Sequence, residues 1–253
     1  MEVLHWVLLA VIVCFAGVIR GCIGFGFSAL VVALASIFLN PKMIVPMVAI
    51  LEIAASIHMA TSVYKQVKWQ PLLYLLLGTL ITTPIGVFLL VYLPVQDIRL
   101  MLSLLIFILS MLLLSGWQYH GRVGMLSFLA MGAFAGGCNG AAGIGGLPVA
   151  TFLSSIKINM AQIRATLVLY FFAADIIFII AVVVVEQFFV SANNDSLYSS
   201  SLLWLSALML IPMTLGIQLG SKLFIKLNER TLKRAVIIFL ALLSVVGIAK
   251  VVF

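Results

Sequence analysis

The sequence predicts an all-α integral membrane protein built from two inverted repeats. Three observations predict it: an almost unbroken apolar composition, a glycine frame that occurs twice, and loops whose charge reverses between the halves. Of the 253 residues 65% are hydrophobic and 8% charged, with a mean hydropathy of +1.32, against about 25% charged in a typical soluble domain. Apolar runs of about 16 to 25 residues fill nearly the whole chain, and each is long enough for most or all of a helical crossing. No soluble domain fits in what remains. The longest polar interval, Ser191 to Ser201 with Asn193, Asn194 and Asp195, reads as a loop between spans.

The frame is Ala16-Gly17-Val18-Ile19-Arg20-Gly21-Cys22-Ile23-Gly24-Phe25-Gly26, which returns as Ala135-Gly136-Gly137-Cys138-Asn139-Gly140-Ala141-Ala142-Gly143-Ile144-Gly145. The spacing of 119 residues (Gly17 to Gly136) also lays Leu34 on Leu153, Ser36 on Ser155, Asn40 on Asn159, Ile44 on Ile163 and Ala54-Ala55 on Ala173-Ala174. Two repeats follow, residues 1–120 and 121–253, together one membrane domain, each opening with two segments broken at a glycine-rich turn.

In order, segment one runs from about Val3 to Ile19. Segment two reaches about Leu39 and stops at the turn signal Asn40-Pro41. Segment three, about Met43 to Val63, carries Glu52 and His58 and ends at Lys65 and Lys68. Segment four spans about Trp69 to Leu93 and segment five about Arg99 to Trp117. The second half repeats this with about Val123–Cys138, Ile144–Ile156, Ile163–Phe189 (holding Asp175), Leu202–Phe224 and Leu232–Val252. Pro84 and Pro212 read as kinks. Gly86 and Leu93 match Gly220 and Leu227 at a spacing of 134 (Gly86 to Gly220), the extra residues falling in the Ser191 loop.

Charge orients the halves. The loop after segment three is basic (Lys65, Lys68), whereas its counterpart holds Glu186 and Asp195. The loop after segment four holds Asp97 and Arg99, whereas its counterpart holds Lys222, Lys226, Arg230, Lys233 and Arg234. Under the positive-inside rule equivalent loops then face opposite sides, so the repeats are inverted. The cytoplasmic side collects Lys65, Lys68, Arg122, Lys157, Arg164 and the Lys222–Arg234 group, leaving Lys42, Arg99 and Lys250 outside along with both termini. Inversion requires an odd number of crossings per repeat. Five full spans satisfy this, and so do three spans preceded by a hairpin that enters and leaves on one side.

The formal net charge of +7 is explained by this topology rather than by nucleic acid. Cys14, Cys22 and Cys138 all lie in apolar segments, which predicts free thiols. Glu2 and the lack of an early Lys or Arg predict that the first segment is retained rather than cleaved.

A helix that starts just after a glycine turn directs unpaired N–H groups and about half a positive charge into the gap. Glycine lets a ligand approach the backbone closely. Two such starts make a candidate anion site comprising Arg20, Gly21, Cys22, Gly24, Phe25 and Gly26 with Cys138, Asn139, Gly140, Gly143, Gly145 and Gly146. Arg20 is the substrate-holding charge, since a planar guanidinium suits a multi-oxygen anion, and Asn139 is its uncharged counterpart. The plainer readings are that the glycines serve helix packing, that Arg20 snorkels to lipid phosphates, and that the cysteines are small packing residues.

Glu52 and Asp175 are the carboxylates deep in apolar segments. Each is either a proton-coupling group or one half of a structural bond to a basic partner. At the 119 spacing Glu52 matches Phe171 and Asp175 matches Ser56. His58 is a proton relay or an ordinary interfacial histidine. The sequence shows no zinc-binding His pair on a Glu-containing turn, no nucleophile elbow and no cofactor motif, so an intramembrane enzyme is disfavoured.

At these residues the chain resembles the sulfite exporter TauE/SafE family, also called the toluenesulfonate uptake permease family, of bacterial inner-membrane transporters. The family is itself a duplication with a glycine-rich stretch followed by Pro in each half. Gly143-Ile144-Gly145-Gly146-Leu147-Pro148 matches that pattern, whereas the first copy has Phe27 in place of a further Gly and Ala29 in place of Pro. The resemblance implies a multi-pass transporter of a small sulfur-containing or organic anion such as sulfite or an organosulfonate, moved outward with proton coupling. No cofactor and no metal are expected, and an oligomer is compatible with the sequence. An anion channel or facilitator, and a non-transporting accessory subunit, are the alternatives.

Overall fold

The computed structural model describes residues 3–116, 123–156, 158–189, 197, 200–224 and 229–252. These form ten α-helices and no strand: α1 (Val3–Ile23), α2 (Phe27–Ala35), α3 (Pro41–Val63), α4 (Trp69–Tyr92), α5 (Val95–Leu114), α6 (Met125–Ala142), α7 (Gly146–Ser155), α8 (Met160–Phe189), α9 (Ser200–Phe224) and α10 (Glu229–Val252). Eight are long and apolar enough to cross a membrane. The chain is a multi-pass membrane protein.

The two short helices do not cross. With 9 and 10 residues at about 1.5 Å per residue, α2 and α7 reach about half the roughly 30 Å of a hydrocarbon core. The rings of His5 and Phe38 lie 5.7 Å apart, so α2 returns to the end of the bundle where α1 began. Phe128 and Phe152, at 5.4 Å, close α6 and α7 in the same way. Both pairs are therefore hairpins, each followed by three long helices.

The helix breaks sit later than the glycine frames alone suggest. Left-handed backbone occurs at Gly24 (φ 82°), Gly26 (φ 92°) and Gly143 (φ 66°), where a side chain is disfavoured. Arg20, Gly21 and Cys22 thus belong to α1, and Cys138, Asn139 and Gly140 to α6. The earlier glycines stay helical because they face other helices. A Cβ on Gly17 would meet Met213 to Ile217, and one on Gly21 would meet Ile217 to Ser221, both on α9. On α6, Gly132 lies against Leu75, Gly136 against Thr79 and Thr82, and Gly140 against Thr83 to Val87 of α4. Without a hydrophobic force between helices in lipid, such close backbone contact is the main source of attraction.

These contacts also fix direction, since positions on both members of each pair rise together: α1 runs parallel to α9, and α4 parallel to α6. The other principal contacts are α5 with α10, α3 with α8, α4 with α8 and α3 with α9. Exchanging α1–α5 for α6–α10 maps this set of pairs onto itself, interchanging α1–α9 with α4–α6 and α4–α8 with α3–α9. At the start of α3, Asn40 accepts from the N–H of Lys42 at 3.0 Å with Pro41 in the first turn, and Asn159 accepts from Ala161 at 3.1 Å. The matched asparagines are both helix caps. Pro84 and Pro212 lie inside α4 and α9, which continue past them.

Candidate functional site

Arg20 lies on the last turn of α1, Glu52 and Ser56 one turn apart on the same face of α3, and Phe171, Ala174 and Asp175 on α8. The hairpin between α1 and α2 drops Arg20 onto this α3–α8 contact. Its guanidinium pairs through Nη1 with the Glu52 carboxylate and donates from Nη2 to Ser56 Oγ at 2.8 Å. It also lies over the ring of Phe171, 4.6 Å from the centroid. Arg20 is 0% exposed and Glu52 1%, so Arg20 does not snorkel.

Glu52 has a second role. Its Oε1 accepts from the N–H of Ser28 at 3.2 Å, in the first turn of α2. The charge-seeking N-terminus of this half-helix is therefore occupied by a carboxylate of the protein itself. An unpaired charge at this depth is costly, and the pair brings the net charge of the Arg20 cluster to zero.

The second break is arranged around Asn139. Its Nδ2 donates to Asp175 Oδ1 at 3.3 Å and to Ala174 O at 3.4 Å, and its Oδ1 accepts from Gly145 N at 3.3 Å. One amide thus ties the turn to α8. Asp175 is 5% exposed, and its Oδ2 has no hydrogen-bond partner among the described residues. At the start of α7, Gly146 leaves the space that the Phe171 ring fills; a Cβ there would overlap the ring.

Of the residues expected at the site, Arg20, Glu52, Asn139, Asp175, Gly145 and Gly146 converge on one stretch of α3 and α8. Gly24 and Gly26 form the turn beneath them, with Gly26 preceding the first residue of α2 and Gly143 ending α6. Phe25 is buried beside this turn. Gly21 and Gly140 are turned toward α9 and α4. The thiol of Cys22 donates to Gly220 O at 3.1 Å, and Cys138 lines an apolar surface groove between α4, α5 and α6. The side chain of His58 lies outside the described ones.

Ser28, Ser56, Phe171 and Arg164 were not among the expected site residues. Ser56 and Phe171 had a signal, because each stands 119 residues from a carboxylate. Arg164, expected on the cytoplasmic side at the start of the Ile163–Phe189 segment, lies in the first turns of α8, where its Nη2 donates to Gly21 O at 3.3 Å and its stem crosses Gly24.

The constellation is polar and buried, and within it the charge of Arg20 is balanced by Glu52. Its cation can be released only if its carboxylate is neutralised or displaced. A family model described as "Sulfite exporter TauE/SafE" matches residues 9–247 of the chain. No curated protein and no solved structure matches it.

Proposed function

The chain belongs to the sulfite exporter TauE/SafE family, and on that premise we propose that it is a proton-coupled secondary transporter carrying a small oxyanion, such as sulfite or an organosulfonate, outward across the bacterial inner membrane. The observation that carries this reading is the buried Arg20–Glu52 pair at the start of α2. Glu52 occupies the place a substrate anion would take, on both the guanidinium and the Ser28 N–H. A proton delivered to Glu52 frees both donors, and a monovalent oxyanion then takes them. The site holds one negative charge before and after the exchange, so no uncompensated charge is buried at any stage. Loss of the proton restores the carboxylate to Arg20 and expels the anion.

Asn139 and Asp175 form the opposite wall. Asn139 holds the second turn to α8, and Asp175, with one oxygen unpartnered, is a further proton acceptor. Inverted repeats fit this scheme, with residues 1–120 rocking against 121–253 around the site to give alternating access. The exchange of packing pairs between the halves supports them, as do the two hairpins and the reversed loop charges. With that orientation both termini lie outside.

The test is flux of labelled sulfite and a short organosulfonate into proteoliposomes, with and without a pH gradient. The wild type is expected to show saturable, gradient-dependent flux, Arg20→Gln none, and Glu52→Gln saturable flux indifferent to the gradient. Gradient-dependent flux retained by Glu52→Gln would sink the exchange mechanism. Flux through the wild type that never saturates would favour a channel.

A further inference from the structure

Away from the buried site, a cleft of about 100 Å³ opens between the outer part of α2, the start of α5 and the end of α10. Among the described residues its polar lining is Ser36, Gln96, Arg99, Ser103, Ser244 and Lys250, with no carboxylate. We propose that this cleft is a second oxyanion site, taking either a free sulfur or phosphorus oxyanion or the phosphate of a lipid headgroup.

The charge balance points to an anion. Arg99 donates from Nη2 to Leu39 O at 3.0 Å, and Lys250 donates from Nζ to Ile37 O at 2.8 Å. Both cations thus sit on carbonyls of the turn that follows α2. A helix C-terminus offers about half a negative charge against two full positive ones. Arg20 is matched by Glu52, whereas these two face no carboxylate among the described residues of their cleft.

Unused donors point the same way. The Ser36 hydroxyl is 7% exposed and, like the buried Nε of Arg99, has no hydrogen-bond partner among the described residues. Buried polar atoms are normally satisfied, so both call for an acceptor in the cleft. Ser103 reaches inward because residue 247 is glycine; a Cβ there would meet its Oγ. The volume is several times the roughly 10–15 Å³ that one water needs on the same measure, which leaves room for a sulfite or phosphate group.

Position gives the site a use. Ser36 and Ser28 lie at opposite ends of α2, roughly 12 Å apart at 1.5 Å per residue. An oxyanion held at Ser36 is one short helix away from the Arg20–Glu52 pair. The inference goes beyond the transport reading and does not depend on it, because it concerns equilibrium binding at residues outside the buried cluster.

The test is calorimetric titration of the full chain, in phosphatidylcholine nanodiscs, with sulfite and with inorganic phosphate. Native mass spectrometry of protein reconstituted with phosphatidylglycerol runs alongside. Losing charge-assisted hydrogen bonds should weaken binding roughly tenfold or more in Arg99→Gln/Lys250→Gln. Ser36→Ala, which breaks no bond within the protein, should weaken it several-fold at an unchanged melting temperature. If sulfite or phosphate binding drops in these variants, the occupant is a free oxyanion. If only phosphatidylglycerol retention drops, it is a headgroup. If folded Ser36→Ala and the double variant bind all three probes as the wild type does, the cations merely cap α2 and the proposal is overturned.

Discussion

Glu52 and Phe171 lie 119 residues apart on α3 and α8 and close on the same guanidinium, Glu52 through its carboxylate and Phe171 through its ring face at 4.6 Å. Each also meets the start of a short half-helix. The carboxylate accepts from Ser28 on α2, and the ring fills the space left by Gly146 on α7. One half-helix start therefore holds an exchangeable charge and the other an apolar plug. In the proposed scheme the protein handles one anion at a time.

The Arg20–Glu52 pair should be more stabilising against single removal than against joint removal. Arg20→Gln leaves a buried carboxylate, and Glu52→Gln a buried guanidinium, each destabilising by about 3–5 kcal/mol. Arg20→Gln/Glu52→Gln removes both charges and should recover a large part of that loss. Thermal unfolding in detergent measures the cycle. Strictly additive losses would mean that the two charges do not depend on each other.

Gly146→Ala should be destabilising by about 1–3 kcal/mol, the usual scale of overpacking, because its Cβ overlaps the Phe171 ring. Gly146→Ala/Phe171→Leu should be closer to wild type than either change predicts alone. The same melting assay checks it. An undisturbed Gly146→Ala protein would place Phe171 elsewhere.

Much of this was legible in the sequence where local chemistry decides it. Asn40 and Asn159 are readable as caps, and the breaks are readable as glycine clusters. The two crossing modes were not separable, since α2 and α7 are as apolar as full spans and only helix length distinguishes them. Whether a glycine faces ligand or helix was equally hidden: Gly21 and Gly140 look like ligand glycines, yet the i, i+4 series Gly17–Gly21 and Gly132–Gly136–Gly140 marks helix crossings. The Arg20–Glu52 pairing was hidden because its partners share no turn or helix; packing of the first hairpin on α3 brings them together. The alignment of Ser56 with Asp175 did point to shared positions on α3 and α8.

Two glycines of α6 separate packing from mere presence. A Cβ on Gly140 would press into the α4 backbone at Thr83 and Val87, whereas one on Gly137 has no neighbour within 4 Å. Gly140→Ala should lower stability by about 1–3 kcal/mol, and Gly137→Ala should leave it unchanged or raise it slightly through better helix propensity. Equal melting temperatures for the two variants would contradict the α4–α6 crossing.

Asn139 acts through both ends of one amide, which allows its two bonds to be tested apart. Its Oδ1 holds the Gly145 N–H and its Nδ2 holds Asp175. Asn139→Ala removes both and strands a buried carboxylate, a loss of about 1–3 kcal/mol for an unsatisfied buried group. Asn139→Asp keeps the acceptor for Gly145 but brings a second carboxylate against Asp175, so one of the two must be neutralised. Asn139→Asp should therefore fold better at low pH than at high pH, while Asn139→Ala should respond less. Melting curves across pH 5 to 8 decide the matter. If the Asp variant is no more pH-sensitive than the Ala variant, Asn139 and Asp175 are not in contact and the second break is not tied to α8 as described.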